Sequence, residues 1–433
     1  MTPVARLSAA IEVLSDIETR RRPAADALKD WGLAHRFAGS GDRAAIAGLT
    51  YDALRRRASS AFVMGEDTPR AILLGTLRLE RSLSVDAIGA LAGGARFAPS
   101  PLTDAERARL AAADLHAAPP WIAGDYPQWL DPQFATVFGD ERVEEGTALA
   151  RRAPLDLRVN TLKGDRDEAL AALSDLGAQL TRWSPLGLRI VLAADARSPA
   201  IHAEPAYIRG LIEIQDEGSQ LAALLAAAQP GEQVIDLCAG AGGKTLVLAA
   251  TMQNKGQLYA SDTDKRRLAP IHARLERAGA RNVQVRTPKS TGGELADLTG
   301  RADLVLIDAP CTGSGSWRRN PDAKWRIRPG ALEQRVKEQA EILDMAAGLV
   351  QPGGRIAYVT CSVFEEENGA QVKAFLARHG GFTPVPPADV TGVLGERAFL
   401  FRMAVLLTQE GLLMTPRRTD TDGFFVAVLR RMA

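Results

Sequence analysis

Apolar residues recur with the period of an amphipathic helix along the first part of the chain. The segments VARLSAAIEVLSDI and DRAAIAGLTYDALRRRASSAFVM both place them at helical spacing. In DTPRAILLGTLRL, Thr68 stands before Pro69 at the head of an apolar stripe, which is typical of a helix start. We therefore predict an all-α domain at 1–120, followed at 121–144 by a connector rich in proline and tryptophan.

The pattern changes at about residue 145. PLDLRVNTLK alternates apolar and polar positions like a strand, and DRDEALAALSDLGA has the pattern of a short amphipathic helix. LGLRIVLA has the composition of another strand. These segments predict a small α+β subdomain at 145–205, a kind of unit that often positions a substrate.

Short apolar strands alternate with helical segments over residues 206–433. The predicted strands are EQVIDLC, GQLYASD, NVQVRT, ADLVLIDAP, GRIAYVTCS and, closing the sheet, DGFFVAVLRR. This alternation favours an α/β domain with a mostly parallel sheet covered on both faces. Ligands of such sheets bind at the carboxyl ends of the strands, so the residues that follow each strand are the candidates for chemistry.

Length, charge and cysteine content narrow the class of protein. The chain has 433 residues, more than one hydrophobic core holds, so we expect two or three domains. The net charge is only +1, so any contact with nucleic acid must depend on local clusters of basic residues. No run approaches the ~20 apolar residues of a membrane span, and the amphipathic N-terminus lacks signal-peptide features, so we expect a cytoplasmic protein. The three cysteines form no CxxC pair, which argues against a disulfide framework and against a metal site.

The segment VIDLCAGAGGKT joins a strand to a helix through a glycine turn. A P-loop would need glycine at Cys238, and a dinucleotide fingerprint would need glycine at Thr245, so both patterns fail. The third interpretation is a site for S-adenosylmethionine (SAM), in which glycines let the backbone approach the cofactor. Asp262, about 20 residues later at the end of the next strand, would then bind the ribose hydroxyls. A purely structural glycine turn stays open for the loop alone.

Two cysteines follow strand ends. Cys361 ends GRIAYVTCS, and Ser362 with Glu365 fits a capping box, so we predict that Cys361 lies just before a helix N-terminus, which favours a thiolate. Cys311 follows the strand LVLID, and we expect the two strands to be neighbours. Each cysteine alone is equally compatible with a small buried hydrophobe.

A thiolate beside SAM predicts a particular reaction. Addition of the thiolate to carbon 6 of a pyrimidine makes carbon 5 nucleophilic enough to take a methyl group, and a base then removes the carbon-5 proton so that the thiol leaves. Asp308 is placed to assist at N3 of the ring, and Pro310 would stiffen its loop. Spacing alone leaves the two thiols interchangeable.

The segment WRRNPDAKWRIR, residues 317–328, combines five cations with two tryptophans directly after the Cys311 loop. We predict that it binds RNA, because cations contact phosphates and aromatic rings stack on bases. The predicted RNA-binding residues are Arg318, Arg319, Lys324, Trp325 and Arg326. The alternatives are a solvated loop and tryptophans packed in a core. The arginine runs at 20–22 and 55–57 are expected to form solvated helix faces, with phosphate contact as the alternative.

The motifs DLCAGAGGKT, DAPCTGSG, RRNPDAKW and YVTCSVFEEEN resemble those of the RsmB-type (Sun family) ribosomal RNA cytosine-5 methyltransferases. The resemblance covers about residue 150 to the end. It implies a C-terminal Rossmann-like class I SAM methyltransferase domain at 206–433. The N-terminal helices resemble the NusB-like RNA-binding domain of that family by pattern rather than by motif.

The resemblance also implies roles for individual residues. Cys361, in the T-C-S motif, is then the nucleophile, and Cys311, in the D-x-P-C motif, assists release of the methylated base. Asp308 and Lys244 complete the predicted catalytic group. The residues expected to bind SAM are Cys238, Ala239, Gly240, Ala241, Gly242, Gly243, Lys244, Asp262, Arg267 and Asp308.

The sequence departs from the family pattern at two places. Ala241 replaces the proline of C-A-x-P-G-G-K-T, a change that loosens the turn without abolishing binding. No acid follows the third strand, where Thr287, Pro288 and Lys289 occur instead of the aspartate that binds the adenine. We therefore expect a main-chain contact or a neighbouring side chain to recognise the adenine.

These observations predict a SAM-dependent RNA (cytosine-5) methyltransferase that extrudes its target base into the cleft. Ribosomal RNA of the small subunit is the implied substrate, and we expect a monomer with neither a metal nor a membrane partner. The same chemistry on transfer RNA and a non-catalytic RNA-binding assembly factor are the alternatives. The retention of both thiols argues against the second of these.

Overall fold

The computed structural model describes residues 1–93, 96–192, 198–289 and 293–433. The described chain forms two compact units: residues 1–153 with 317–329, and residues 154–192, 198–316 and 330–433. Within these ranges, none of the helices combines the length and apolar character that a bilayer span requires.

The first 150 residues are helical. The helices are α1 (Pro3–Arg20), α2 (Ala24–Ala34), α3 (Ser40–Arg55), α4 (Arg57–Met64), α5 (Pro69–Leu79), α6 (Val85–Leu91), α7 (Asp104–Ala111), α8 (Pro120–Ala123), α9 (Asp131–Phe138) and α10 (Arg142–Leu149), with 3-10 turns at Gln128–Leu130 and Gly139–Glu141. The predicted start of α5 is confirmed, because the Thr68 hydroxyl accepts a hydrogen bond from the Ala71 amide. The segment predicted as a connector contains α8 and α9 and lies in the same compact unit as the helices before it.

Helices α4 and α5 pack unusually closely in this unit. A Cβ atom added to Gly75 in α5 would lie 2.8 Å from Cα of Ser60 in α4. The hydroxyls of Ser60 and Thr76 are 3.0 Å apart and fully buried, so the contact is polar as well as close. Glycine at position 75 therefore sets the separation of the two helices.

The subdomain that follows is an antiparallel sheet with short helices. Its elements are β1 (Leu155–Val159), α11 (Arg166–Ala172), β2 (Gln179–Leu180), β3 (Gly187–Ile190), α12 (Pro205–Ile208) and β4 (Ile212–Ile214), with 3-10 turns at Ser174–Leu176 and Ile201–Ala203. The strand order is β2-β3-β1-β4. Leu157, Val159 and Ile212 are fully buried in its core, as the predicted alternation of strand residues requires.

The rest of the chain builds a large sheet covered by helices. Its helices are α13 (Glu217–Leu225), α14 (Gly243–Thr251), α15 (Lys265–Leu268), α16 (Ile271–Ala278), α18 (Ala331–Leu349), α19 (Gly369–Arg378), α20 (Pro387–Thr391), α21 (Ala398–Ala404) and α22 (Pro416–Thr419). The short helix α17 (Ala323–Arg326) lies in this stretch of the chain but belongs to the helical unit. Its strands are β5 (Gln233–Asp236), β6 (Gln257–Ser261), β7 (Val283–Arg286), β8 (Ala302–Asp308), β9 (Val350–Thr360), β10 (Phe382–Pro384), β11 (Leu406–Leu407), β12 (Leu412–Met414) and β13 (Phe424–Arg431). The 3-10 turns are Ala296–Leu298, Ser314–Ser316, Glu365–Glu367 and Gly392–Arg397.

The strand order of this sheet is β11-β12-β13-β9-β8-β5-β6-β7, and β10 also pairs with β13. Strands β5 to β9 pair in parallel, whereas β13 runs antiparallel to β9. The chain moves outwards from β5 through β6 to β7 and then returns to β8 on the other side of β5. The predicted α/β Rossmann-like fold is therefore confirmed, and its switch point lies between β5 and β8.

The segment 317–329, here called the inserted segment, belongs to the helical unit. The Trp317 ring stacks on Phe134 with ring centroids 5.9 Å apart. The indole nitrogen of Trp325 donates to the Leu54 carbonyl at 2.7 Å, and the Ala24 amide donates to Asp322. The short helix α17 is thus held by contacts that lie far from it in sequence.

A buried hydrogen bond ties the central strand β5 to the helix α14. The Thr245 hydroxyl donates to the Asp236 carboxylate at 2.7 Å, and both side chains are fully buried. Burial raises the pKa of Asp236 to about 7, and the charges of Asp308 and Asp262 add to this effect. The Asp236 carboxyl therefore titrates close to neutral pH in the folded protein.

We predict that Gly75→Ala destabilises the helical unit by ~1–3 kcal/mol, because the added methyl group forces α4 and α5 apart. Gly48→Ala in α3 is the control, since its nearest neighbour would be the Arg81 guanidinium at 3.7 Å. That variant should gain up to ~1 kcal/mol from helix propensity. Urea unfolding followed by circular dichroism measures both, and equal stabilities would contradict the close packing.

The free energy of unfolding of Asp236→Asn should increase relative to that of the native protein as the pH rises. The pKa of Asp236 is about 7 when folded and near 3.8 when unfolded, so its ionisation lowers the free energy of unfolding progressively from pH 4 to 7, by at most ~1.4 kcal/mol per pH unit, and the full penalty persists above pH 7. Asparagine removes the charge and still accepts from Thr245. The exposed Asp389→Asn is the control for chemical denaturation at each pH. A stability difference that is constant or that shrinks with pH would refute this account.

Candidate active site

The candidate site lies at the carboxyl edge of the parallel strands. The loop 238–243, here called the glycine loop, follows β5, and Asp262 follows β6. Asp308 is the last residue of β8, and Cys361 follows β9. The topology thus gathers the predicted residues at the switch point, where α/β sheets bind their ligands.

Two glycines give the glycine loop its shape. Gly240 and Gly242 have φ values of +50° and +86°, in the left-handed region that favours glycine. The Gly240 amide donates to the Asp262 carboxylate at 2.9 Å, which fixes the loop against the end of β6. A Cβ at Gly242 would also lie 2.6 Å from the Ile271 side chain. No other residue type fits this turn without strain.

The space beside Gly240 fits the predicted ribose site. A Cβ at Gly240 would lie 3.7 Å from the Arg267 guanidinium and 3.9 Å from the Asp262 carboxylate, so glycine leaves this space open. Arg267 is itself 3.9 Å from Asp262. A carboxylate acceptor at the end of β6 is the group that ribose hydroxyls require. The residues present therefore suit the sugar of an adenosyl cofactor.

The environment of Cys238 makes its thiol unreactive. Burial raises its pKa, and the nearby carboxylates of Asp236, Asp308 and Asp262 raise it further. A thiol in this setting stays neutral at physiological pH. We therefore expect Cys238 to contribute to the predicted cofactor loop through its size and its backbone, and not through the reactivity of its sulfur.

Lys244 and Asp308 form an ion pair across the switch point. The Lys244 ammonium lies 2.6 Å from an Asp308 carboxylate oxygen and 5.0 Å from the centroid of the Phe424 ring. Lys244 is 7% exposed and Asp308 is 35% exposed, so the pair opens to solvent on the aspartate side. The pair links the start of α14 to the end of β8.

The thiols of Cys311 and Cys361, here called the thiol pair, touch. Their sulfur atoms are 3.3 Å apart, and both residues are half-buried. The contact follows from the parallel pairing of β8 with β9, which continues beyond the strands when the Ala309 amide donates to the Val359 carbonyl at 2.8 Å. The expectation that these strands are neighbours is confirmed.

Glu367 holds the segment that carries Cys311. Its carboxylate accepts from the Thr312 amide at 2.8 Å, from the Thr312 hydroxyl at 2.5 Å and from the Gln339 amide at 3.0 Å. Gln339 also donates to the Pro310 carbonyl at 3.0 Å. Burial raises the pKa of Glu367. The local sequence gave no sign of this role, because its partners lie 28 and 55 residues away.

Asn368 holds the segment that carries Cys361. It accepts from the Thr360 hydroxyl at 2.6 Å and donates to the Ser362 carbonyl at 3.0 Å, so it contacts the residues on both sides of the cysteine. Two consecutive polar side chains, Glu367 and Asn368, thus fix the two thiols. The only signal in the sequence was their position a few residues after the T-C-S motif.

The predicted capping box after Cys361 is wrong. A 3-10 turn covers Glu365–Glu367, and α19 begins only at Gly369. The Ser362 hydroxyl contacts the Ser314 hydroxyl at 3.0 Å and accepts from the Phe364 amide. A contact with the Cys311 loop therefore replaces the predicted cap, and Cys361 does not lie at a helix N-terminus.

The C-terminal strand closes the site from behind the Cys311 loop. The Gly315 amide donates to the Cys361 carbonyl at 2.9 Å, and the Gly423 amide donates to the Gly315 carbonyl at 2.8 Å. A Cβ at Gly315 would meet the Gly423 carbonyl oxygen at 2.1 Å, so the backbones are in contact. Asp216 accepts from the Asp422 amide at 3.1 Å and fixes the same loop. Sequence reasoning did not identify these residues.

The structure does not support the predicted phosphate contact of Lys324. Lys324 is 1% exposed, and its ammonium donates to the carbonyls of Arg55 and Asp125 at 2.9 and 2.5 Å. Burial lowers its pKa to about 7. Arg318 is 2% exposed, so it too lies inside the helical unit. A run of cations resembles a surface in sequence, but here carbonyls distant in sequence satisfy the buried ammonium.

The other predicted RNA-binding residues lie nearer the surface. Arg326 is exposed and forms an ion pair with Asp322 at 2.9 Å, and Arg319 is half-buried. Trp325 is half-buried against the helical core. Thr287, Pro288 and Lys289 follow β7, as predicted, and residues 290–292 of the same loop lie outside the described residues.

Comparison with known proteins agrees with the fold and the motifs. Residues 223–430 match the family model of the 16S rRNA methyltransferases RsmB/F, and residues 126–197 match the ferredoxin-like domain of RsmF/B-like methyltransferases. A methyltransferase homolog protein from Pyrococcus horikoshii has a similar solved structure, with a TM-score of 0.58 and 27% identity over 72% of this chain and 98% of that one.

Two curated relatives are more similar in sequence. The ribosomal RNA small subunit methyltransferase B of Cronobacter sakazakii is 35% identical over 312 residues, which cover 70% of this chain and 66% of the relative. Its counterpart from Sodalis glossinidius is 32% identical over 338 residues, or 77% and 69% of the two chains. The match thus spans about two thirds of the relatives' length. The predicted family and cofactor are confirmed: the chain belongs to the RsmB/F family of SAM-dependent methyltransferases.

Proposed function

We propose that this protein methylates carbon 5 of a cytosine in small-subunit ribosomal RNA, through a covalent adduct between a cysteine and carbon 6. The observation that carries the proposal is the thiol pair, with its sulfur atoms 3.3 Å apart at the ends of β8 and β9. Carbon-5 methylation needs one thiol to add to the ring and a second group to help remove the carbon-5 proton. Both groups are present beside the glycine loop.

The environment of the thiol pair supports Cys361 as the nucleophile. The contact with Cys361 and burial raise the pKa of Cys311, and the nearby charge of Glu367 raises it further. A negative charge on Cys311 is therefore opposed from two sides, which makes Cys311 the poorer candidate for the attacking thiol. As a neutral thiol, Cys311 can donate a hydrogen bond to the Cys361 sulfur, which lies 3.3 Å away. This assignment agrees with the one implied by the T-C-S motif.

The residues around the cofactor suggest how it is held. The glycine loop and Asp262 would bind SAM, which supplies its methyl group as an electrophile when bound. Sequence similarity to relatives described as small subunit methyltransferases supports ribosomal RNA as the acceptor. The half-buried inserted-segment residue Arg319 and the exposed Arg326 remain proposed RNA contacts.

The proposed sequence of events at the ring is balanced in electrons and protons. The Cys361 thiolate forms a bond to carbon 6, and the carbon 5–carbon 6 electron pair becomes available at carbon 5 for the incoming methyl group. The Lys244 ammonium, which lies 2.6 Å from the Asp308 carboxylate, stabilises the negative charge that moves towards N3. Once Cys361 is bound to carbon 6, its contact no longer raises the pKa of Cys311, and Cys311 loses its proton to solvent. The Cys311 thiolate then accepts the carbon-5 proton, so that one proton is released in each methyl transfer. The double bond re-forms, and Cys361 leaves as a thiolate.

Cys361→Ala should lower methyl transfer from radiolabelled SAM to RNA by at least ~10³-fold, because no adduct can form. Calorimetric SAM binding should be unchanged, since the thiol pair lies outside the glycine loop. A Cys361→Ala protein that methylates RNA at the native rate would eliminate this thiol as the nucleophile.

Cys311→Ala should accumulate a covalent protein–RNA adduct, visible as a slower band on a denaturing gel, because removal of the carbon-5 proton is impaired. The double variant Cys311→Ala/Cys361→Ala is the matched control and should give no such band. A Cys311→Ala enzyme that turns over freely would argue against the release role.

Bisulfite sequencing of RNA from a deletion strain, complemented with native protein or Cys361→Ala, would identify the nucleotide and distinguish ribosomal from transfer RNA.

A further inference from the structure

The glycine loop has one non-glycine residue at its centre, Ala241. Gly240 and Gly242 on either side both take left-handed φ values, which glycine adopts at little steric cost. The Gly240 amide is fixed by Asp262, and the Gly242 amide donates to the Ala239 carbonyl at 2.8 Å. The Ala241 peptide between them needs its own restraint.

Arg274, on helix α16, supplies that restraint. One terminal nitrogen of its guanidinium donates to the Ala241 carbonyl at 2.8 Å. The other terminal nitrogen donates to the Glu213 carboxylate at 3.0 Å. Because a guanidinium is planar, two hydrogen bonds at two nitrogens fix both its position and its orientation. The carbonyl of Ala241 is thus attached to an anchored group.

The anchor itself belongs to the small subdomain. Glu213 lies in β4, its side chain is 3% exposed, and it also forms an ion pair with Arg277. The Arg277 guanidinium lies 3.8 Å from the centroid of the Tyr207 ring. Arg158, fully buried and opposite Glu213 in the β1–β4 register, adds a further positive charge. Glu213 is therefore held in place by several guanidinium groups.

We propose that Arg274 is a positioning residue for the cofactor, which holds the Ala241 peptide so that the glycine loop keeps its binding conformation. Proteins with the C-A-x-P-G-G-K-T pattern fix the backbone at this position covalently, through the proline ring. Here the hydrogen bond from Arg274 in α16 restrains the same part of the backbone, and Glu213 of the small subdomain holds Arg274 in position. The proposal goes beyond the methylation reaction and concerns SAM binding alone.

Arg274→Ala should weaken SAM binding by about 10-fold, measured by calorimetry on the full chain without RNA, because the binding-competent loop is then only fractionally populated. The Michaelis constant for RNA and the turnover at saturating SAM should stay unchanged. Arg281→Ala removes the same charge from an exposed position soon after α16 and should bind SAM like the native protein. Native SAM affinity in Arg274→Ala would overturn the proposal.

The second variant separates loop geometry from charge and from general damage. Ala241→Pro, introduced into Arg274→Ala, should restore most of the lost affinity, because proline fixes φ without the guanidinium. Ala241→Pro alone should bind SAM like the native protein. Failure of the double variant to recover, when Ala241→Pro alone binds normally, would show that Arg274 does not act by holding the peptide.

Glu213→Gln provides an independent test that leaves the loop untouched. It releases Arg274 from its anchor and should weaken SAM binding less than Arg274→Ala does. Unchanged affinity would refute the role of the anchor. These measurements use SAM without RNA, so their failure is distinguishable from a failure of the proposed cytosine chemistry.

Discussion

Parallel hydrogen bonding of β8 to β5 on one side and to β9 on the other is the constraint on which the site depends. The chain leaves β5 towards β6 and β7 and returns to β8, so the connections after β5 and β8 diverge and leave a crevice at the carboxyl edge. The register places Asp308 opposite Val359. The residues that follow each strand, Cys311 and Cys361, therefore come into contact although 50 residues separate them.

Buried carboxylates then convert the loops at this edge into fixed structure. A buried carboxylate is costly unless it accepts hydrogen bonds. Asp262 accepts from the Gly240 and Asp264 amides, and Glu367 accepts from Thr312 and Gln339. Each therefore fixes a segment that glycine or proline alone would leave poorly defined. Because these loops are ordered before the substrates bind, less of the binding free energy is lost in ordering them.

Local patterns in the sequence predicted what local physics determines. The apolar runs of β5, β8 and β9 and the glycine turn after β5 depend on neighbouring residues, and these features appear as expected. Ser362 and Lys324 were misjudged because their partners are distant. A serine three residues before a glutamate fits a cap until Ser314 is brought beside it. A lysine among arginines resembles a surface residue until two carbonyls surround its ammonium.

The ion pair between Lys244 and Asp308 crosses the switch point of the sheet. Lys244 is the second residue of α14, directly after the glycine loop, and Asp308 ends the adjacent strand β8. Where these two connections diverge, the ammonium that follows the glycine loop reaches the carboxylate at the end of β8. The 2.6 Å contact therefore links the glycine loop electrostatically to the end of β8. If either residue were at the end of another strand, the two side chains would not meet.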